Sequence, residues 1–272
     1  MDLRAPYPRP LVVAGLLSGE ALAHLQRYAH ALATPSPDSD GRLDRATKWW
    51  QTFADIAAEE GPKARLSLIQ TLVSAKLFSF ARASLGDDIA IITEYCQFRR
   101  YDPRPGLLPS HWHFDTFLIS RTARMLTFWI ALDDVDDATP GLTIATSSCR
   151  PAPLWDRVLA GYDDPDRIYP REKRDAAVLQ DQDVEQAVAL DPELEFISPR
   201  LPAGGAIVFD GRFLHRTQML SPGHSKPRFS LEVRALAWDD LPADIFDANY
   251  EIARTVFNPD QGTSDISIVT TR

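Results

Sequence analysis

The chain has 272 residues, with 38 acidic against 29 basic side chains and a formal charge of −9. A makeup of 44% hydrophobic and 25% charged residues is that of a globular protein and excludes collagen-like, coiled-coil and disordered classes. The acidic balance argues against a phosphate-tracking surface, and two cysteines, Cys96 and Cys149, provide no disulfide framework.

In chain order, Leu11-Val-Val13 reads as a short strand, and Ser18 as the N-cap of a helix whose apolar face is Leu22, Leu25, Tyr28, Ala29 and Leu32. The apolar run Leu11–Leu17 ends at Ser18-Gly-Glu20. It is too short for a signal peptide or a membrane span, so a soluble, cytoplasmic protein is expected. Thr34–Gly41 is loop by composition. One helix is expected over Pro62–Leu85, closed by Gly86 in a left-handed cap. Strands follow at Ile89–Tyr101, Met125–Leu132, Leu142–Thr146, Ala206–Phe209 and Phe229–Leu236. Arg150–Pro202 is polar, weakly helical around Ala176–Leu190, and reads as an insertion or lid between two strands. The segment after Trp238 has no assignment. Helices first and strands later predict an α+β fold with a jelly-roll core, as a single domain over 1–272.

The chemistry concentrates in His111-Trp-His113-Phe-Asp115. On a strand, residues two apart share a face, so His113 and Asp115 are expected to point together. Gly204-Gly-Ala-Ile-Val-Phe-Asp-Gly-Arg-Phe-Leu-His215 is a strand, a turn and a second histidine. Two imidazoles and a carboxylate on one face are the donor set of a non-haem Fe(II) site. Thirteen residues after His215, Arg228 opens a strand with Ser230 on its face, a guanidinium and a hydroxyl suited to a carboxylate.

The order His-x-Asp, His, Arg-x-Ser resembles the phytanoyl-CoA dioxygenase-like family of Fe(II)/2-oxoglutarate oxygenases, over most of the chain. Gln97-Phe-Arg99 ahead of Trp112-His-Phe-Asp115 is similar to the pattern in ectoine hydroxylase, and Thr127–Asp136 with Pro140-Gly141 looks like the next family strand and turn. The resemblance implies a double-stranded β-helix (jelly-roll) core with N-terminal helices. It implies Fe(II) on His113, Asp115 and His215, and 2-oxoglutarate on Arg228 and Ser230 beside Trp129. Gln97 falls where family members contact cosubstrate, and Arg99 where they contact substrate. The implied reaction uses O2 to decarboxylate 2-oxoglutarate to succinate and carbon dioxide while hydroxylating a small molecule, natural-product or amino-acid-like. The carboxylate at Asp115 disfavours halogenation. Ser147-Ser-Cys149-Arg150 departs from the family's Pro-Gly-Ser-His.

Other readings stand beside this one. His111 shares a face with His113, so His111, His113 and His215 make a cupin-type site without 2-oxoglutarate; otherwise His111 belongs to the pocket rim. A non-enzymatic jelly-roll binding module is the third reading. Arg234 rivals Arg228 as the carboxylate-binding arginine, unless it pairs with Glu232. Arg99, Arg121 and Arg124 suit an acidic substrate. Trp49 and Trp50 read as packing or as an entrance, His224 as a turn residue, and Asp133, Asp134, Asp136 and Asp137 as a solvated turn without calcium spacing. A small-molecule substrate is expected, with no nucleic acid and no membrane; oligomeric state stays open.

Overall fold

The computed structural model describes residues 9–31, 50–101, 111–118, 123–146, 179–190, 194–219, 221–247 and 250–271. Leu32, Thr34–Gly41, Trp49, Arg121 and Cys149 lie outside them. Strand β1 (Leu11–Val13) leads into helix α1 (Gly19–Ala31), where the Ser18 hydroxyl accepts the Ala21 N–H at 3.3 Å. Leu25 and Ala29 are its buried face. Strand β2 (Trp50–Thr52) and helix α2 (Phe53–Glu60) follow, joined by a capping box between Thr52 and Asp55.

The single helix expected over 62–85 is two, α3 (Pro62–Ser74) and α4 (Lys76–Leu85), parted at an extended Ala75 with φ −82° and ψ 165°. The buried face explains the break. Residues 65, 68, 69 and 72 are buried in α3, and an unbroken helix would carry that face to Lys76 and Ser79. The break advances it to Leu77, Phe78, Ala81 and Leu85. Gly86 ends α4 at φ 93°, but its ψ of −170° is extended rather than the expected left-handed cap.

Strands β3 (Asp88–Ile92) and β4 (Gln97–Tyr101) replace the one strand expected over 89–101, and a 3-10 turn at Thr93–Tyr95 separates them. After a 3-10 turn at Asp115–Leu118 come β5 (Met125–Ala131), β6 (Leu142–Ala145), helix α5 (Asp181–Leu190) and β7 (Phe196–Ile197). The chain continues through β8 (Ala206–Asp210), β9 (His215–Thr217) and β10 (Arg228–Ala237). The unassigned tail forms an antiparallel hairpin, β11 (Glu251–Asn258) and β12 (Thr263–Thr270).

Among the described residues all pairings are antiparallel, in a nine-stranded sheet and a three-stranded one. The large sheet runs β1-β8-β5-β10-β3-β11-β12, with β4 pairing both β10 and β2; the small one is β7-β6-β9. On one edge β10 pairs first with β4 and then with β3. Between the Glu232–Gln97 and Ala235–Ile91 pairs, two residues on β10 face five on the other side, 92–96, and the 3-10 turn holds the surplus. Strand β10 is buried along its whole length. Phe229, Leu231, Val233 and Ala235 pack into the core beneath α1, α3 and α4, so the alternate set turns the other way. No helix among the described residues is long and apolar enough to cross a membrane.

Candidate metal centre and anion pocket

That alternate set is Arg228, Ser230, Glu232 and Arg234. Register places Tyr101, Arg99 and Gln97 of β4 opposite Arg228, Ser230 and Glu232, and Trp129 and Thr127 of β5 opposite Glu232 and Arg234. One face of three strands therefore carries Gln97, Arg99, Trp129, Arg228, Ser230, Glu232 and Arg234, all singled out from sequence.

His113 and His215 meet as an antiparallel bridge, exchanging backbone bonds of 3.0 and 3.1 Å, with ring centroids 4.3 Å apart. The His113 Nδ1 lies 2.7 Å from the His111 carbonyl, and the His215 Nδ1 2.9 Å from that of Phe213. A carbonyl only accepts, so each Nδ1 carries its proton and each Nε2 keeps its lone pair. Both Nε2 atoms face Asp115 Oδ1, at 3.9 Å from His113 and 3.8 Å from His215. Among the described residues, His113, Asp115 and His215 group their ligand atoms within 4.8 Å of one another. Burial and the neighbouring His215 push the His113 imidazole down to about 4, so it is neutral at pH 7. Burial raises the Asp115 carboxyl, but Arg234 and the two histidines outweigh it and hold the group well below the usual range.

The two members of His-x-Asp converge by a route other than strand alternation. Only His113 is in a bridge, and the chain turns into a 3-10 helix at Asp115, whose next residue donates its N–H to the Gly211 carbonyl at 3.1 Å. His111 is exposed and meets the cluster through its backbone carbonyl.

Arg228 is 2% exposed. Its Nε donates to the Pro140 carbonyl and one Nη to the Ser230 hydroxyl, both at 2.6 Å, and its guanidinium lies 4.7 Å from the Trp129 ring and 5.6 Å from that of Tyr101. Among the described residues it makes no ion pair with a carboxylate. Burial, with Arg99 nearby, pushes its pKa down to about 10. A buried cation with only neutral partners is chemically suited to pair with an added anion.

Gln97 and Arg99 both turn onto Glu232, with Gln97 Nε2 3.2 Å and Arg99 Nε 2.8 Å from its oxygens. Arg234 pairs with Glu232 as well, at 3.0 Å, and reaches Asp115 at 2.8 Å. That last contact was not foreseen; strand alternation gives Arg234 its face but not its partner across the fold. Two further contacts escaped the sequence reading: the Thr127 hydroxyl on Asp115 Oδ2 at 2.6 Å, and a buried bidentate Arg212–Asp210 pair in the turn leading to His215. Arg124 pairs with Asp240 at 2.7 Å. The acidic turn is stitched to backbone N–H groups, Asp133 to Phe229 and Asp134 to Ala203, each at 2.8 Å. The His224 Nδ1 accepts the Ser221 N–H within its own turn.

No family model matches this sequence, and no curated protein matches it. Solved structures do. EctD from S. alaskensis, with 2-oxoglutarate and 5-hydroxyectoine, is 16% identical over 88% of this chain and 79% of its own, at a TM-score of 0.58. The epimerase SnoN from nogalamycin biosynthesis, with Fe3+, alpha ketoglutarate and nogalamycin RO, is 17% identical over 84% and 79%, at 0.53. EvdO2 from Micromonospora carbonacea var. aurantiaca, complexed with 2-oxoglutarate, is 18% identical over 85% and 87%, at 0.52. Similarity at this identity shows a shared fold, one that in EctD and SnoN holds iron and 2-oxoglutarate and in EvdO2 holds 2-oxoglutarate.

Proposed function

We propose that this protein is an Fe(II)- and 2-oxoglutarate-dependent oxygenase acting on an unactivated C–H bond of a small molecule, with hydroxylation as the outcome. The observation that carries the reading is the convergence of His113 Nε2, His215 Nε2 and Asp115 Oδ1, with both imidazoles already in the tautomer a metal needs. Two nitrogens and one carboxylate oxygen on one side of an ion are the donor set of non-haem Fe(II) oxygenases, so the residues present fit iron. The guanidinium of Arg228, buried and without a carboxylate partner among the described residues, fits the distal carboxylate of 2-oxoglutarate, with Ser230 beside it and Trp129 as an apolar wall. Bound there, iron would activate O2, the oxidant, with two electrons coming from 2-oxoglutarate as it breaks down to succinate and carbon dioxide.

The chain's own part is positional. The His111 and Phe213 carbonyls aim the imidazoles, and Arg228 fixes the cosubstrate's far end. We read the two antiparallel sheets as the faces of a double-stranded β-helix, in a single domain of phytanoyl-CoA dioxygenase type; much of the lid expected over 150–202, namely 150–178 and 191–193, lies outside the described residues. SnoN is an epimerase and another solved structure of this fold, SnoK, a carbocyclase, so the fold carries more than one outcome.

Anaerobic addition of 2-oxoglutarate to the Fe(II) protein tests the reading. The expected result is a weak absorption band in the green, followed in air by succinate. Absence of both removes the assignment.

A further inference from the structure

Resting on that metal reading, we propose that Arg234 is the positioning residue of the centre: its guanidinium, with the Thr127 hydroxyl, fixes the Asp115 carboxylate so that Oδ1 alone is offered to the ion. Arg234 is 1% exposed and held from three directions. One Nη donates to the Tyr95 carbonyl at 2.9 Å, and the other to Asp115 Oδ1 at 2.8 Å and Glu232 Oε2 at 3.0 Å. The Tyr95 carbonyl is available because the β3–β4 edge breaks into its 3-10 turn at that point. On the far side of the carboxylate, Thr127 Oγ1 donates to Oδ2 at 2.6 Å.

Both carboxylate oxygens are thus engaged before any metal arrives, and they are engaged differently. Oδ1 faces both imidazole Nε2 atoms and shares itself with Arg234; Oδ2 is turned to Thr127. Turning the carboxylate so that both oxygens meet the ion would break the Thr127 bond and strain the one to Arg234. A hydrogen bond to a charged group is worth about 1.5–3 kcal/mol, enough to hold one orientation. The guanidinium also draws charge from Oδ1, which weakens it as a donor and leaves the ion more electron-poor.

Co(II) is the probe, because its visible d–d absorption reports coordination number and geometry without turnover. Arg234→Met and Thr127→Val are each expected to shift the Co(II) spectrum. Glu232→Gln, which leaves Arg234 on Asp115, is expected to keep the wild-type spectrum. In an Asp115→Ala background, Arg234→Met should change nothing further, since the residue it positions is gone. A purely structural arginine would lower the melting temperature and leave the spectrum alone. Should Arg234→Met not fold, Glu232→Gln/Arg234→Met removes the stranded acid together with its cation and carries the same expectation. A wild-type spectrum from the folded variant, or a shift as large in the Asp115→Ala background or in Glu232→Gln alone, overturns the role. Wild-type protein that takes up no Co(II) overturns the metal reading, and Arg234's role with it.

Discussion

At the scale of single residues, Arg228 and Arg234 share a strand face and differ in what answers their charge. Arg234 has two carboxylates, which outweigh burial and raise its pKa, so it is a permanent cation. Arg228 has a carbonyl, a hydroxyl and two aromatic rings, so burying it costs stability that only a ligand recovers. Arg228→Met is therefore expected to leave the melting temperature of the ligand-free protein unchanged or higher. The stabilisation that 2-oxoglutarate brings to the Co(II) form should disappear, and KM for 2-oxoglutarate should rise about 100-fold, the loss of roughly 3 kcal/mol from a bidentate charged contact. Co(II) affinity should stay within about threefold, because the metal ligands are untouched. A thermal-shift titration reads all but KM, and parallel losses of metal and cosubstrate would contradict the division of labour. Cys96 is the opposite case, a buried group with no function in view. Burial pushes its thiol up to about 12, so in Cys149→Ser protein a disulfide reagent at pH 8 should find no fast-reacting thiol until the fold opens.

At the scale of elements, β9 and the bridged segment that bears His113 are braced from behind. Trp112 precedes His113 and Arg216 follows His215, so the antiparallel His113–His215 bridge sets them opposite each other. The Trp112 indole donates to Asp181 at the start of α5, at 2.9 Å, and Arg216 pairs with the same carboxylate while its guanidinium lies 4.3 Å from the indole ring. Leu179 adds a backbone bridge to Trp112. Asp181→Ala should cost only about 1 kcal/mol, as a half-exposed pair does, yet speed proteolysis near 179–190 and weaken Co(II) binding about threefold. Faster cleavage with unchanged metal affinity would separate the brace from the centre. Legibility in the sequence follows the same division. Strands β5, β8 and β10 and helix α1 were visible because their apolar residues repeat at the period of one element. The His-x-Asp, His and Arg-x-Ser residues were visible as chemical types in a particular order. The break at Ala75 and the turn at Thr93–Tyr95 were not, because each resets a face to suit a partner far away in sequence. Helix α2 had a readable signal in Thr52-Phe-Ala-Asp55, and the terminal hairpin had one in Asn258-Pro-Asp-Gln-Gly262. The Arg234–Asp115 contact, 119 positions apart, had none.

At the scale of the molecule, the terminal hairpin joins the large sheet along β3, and its attachment runs through a partly buried acid, Glu94, beside the α3 helix. Glu94 Oε1 accepts the Glu251 N–H at 3.0 Å, its other oxygen accepts the Thr93 hydroxyl at 3.2 Å, and Glu251 itself pairs with the buried Arg65. Burial raises the Glu94 carboxyl to about 7, more than its hydrogen bonds and the Arg65 charge offset. Unfolded, the same group ionises near its ordinary 4.5. Between those two values the folded chain keeps a proton that the unfolded chain has released, so stability falls as pH rises through that window. Above pH 7 the cost is at its full value, about 2–3 kcal/mol at 1.36 kcal/mol per unit with an allowance for partial exposure. Glu94→Gln keeps the shape and the oxygen that accepts the Glu251 N–H and removes the ionisation. It is expected to raise the melting temperature by roughly 4 °C at pH 8, where a domain of this size shifts about 2 °C per kcal/mol, and to leave it unchanged at pH 4.5. Calorimetry of both proteins across this range reads the difference curve. A gain that is the same at both pH values would mean that the group gives up its proton as easily folded as unfolded, and that the hairpin is not docked at an electrostatic cost.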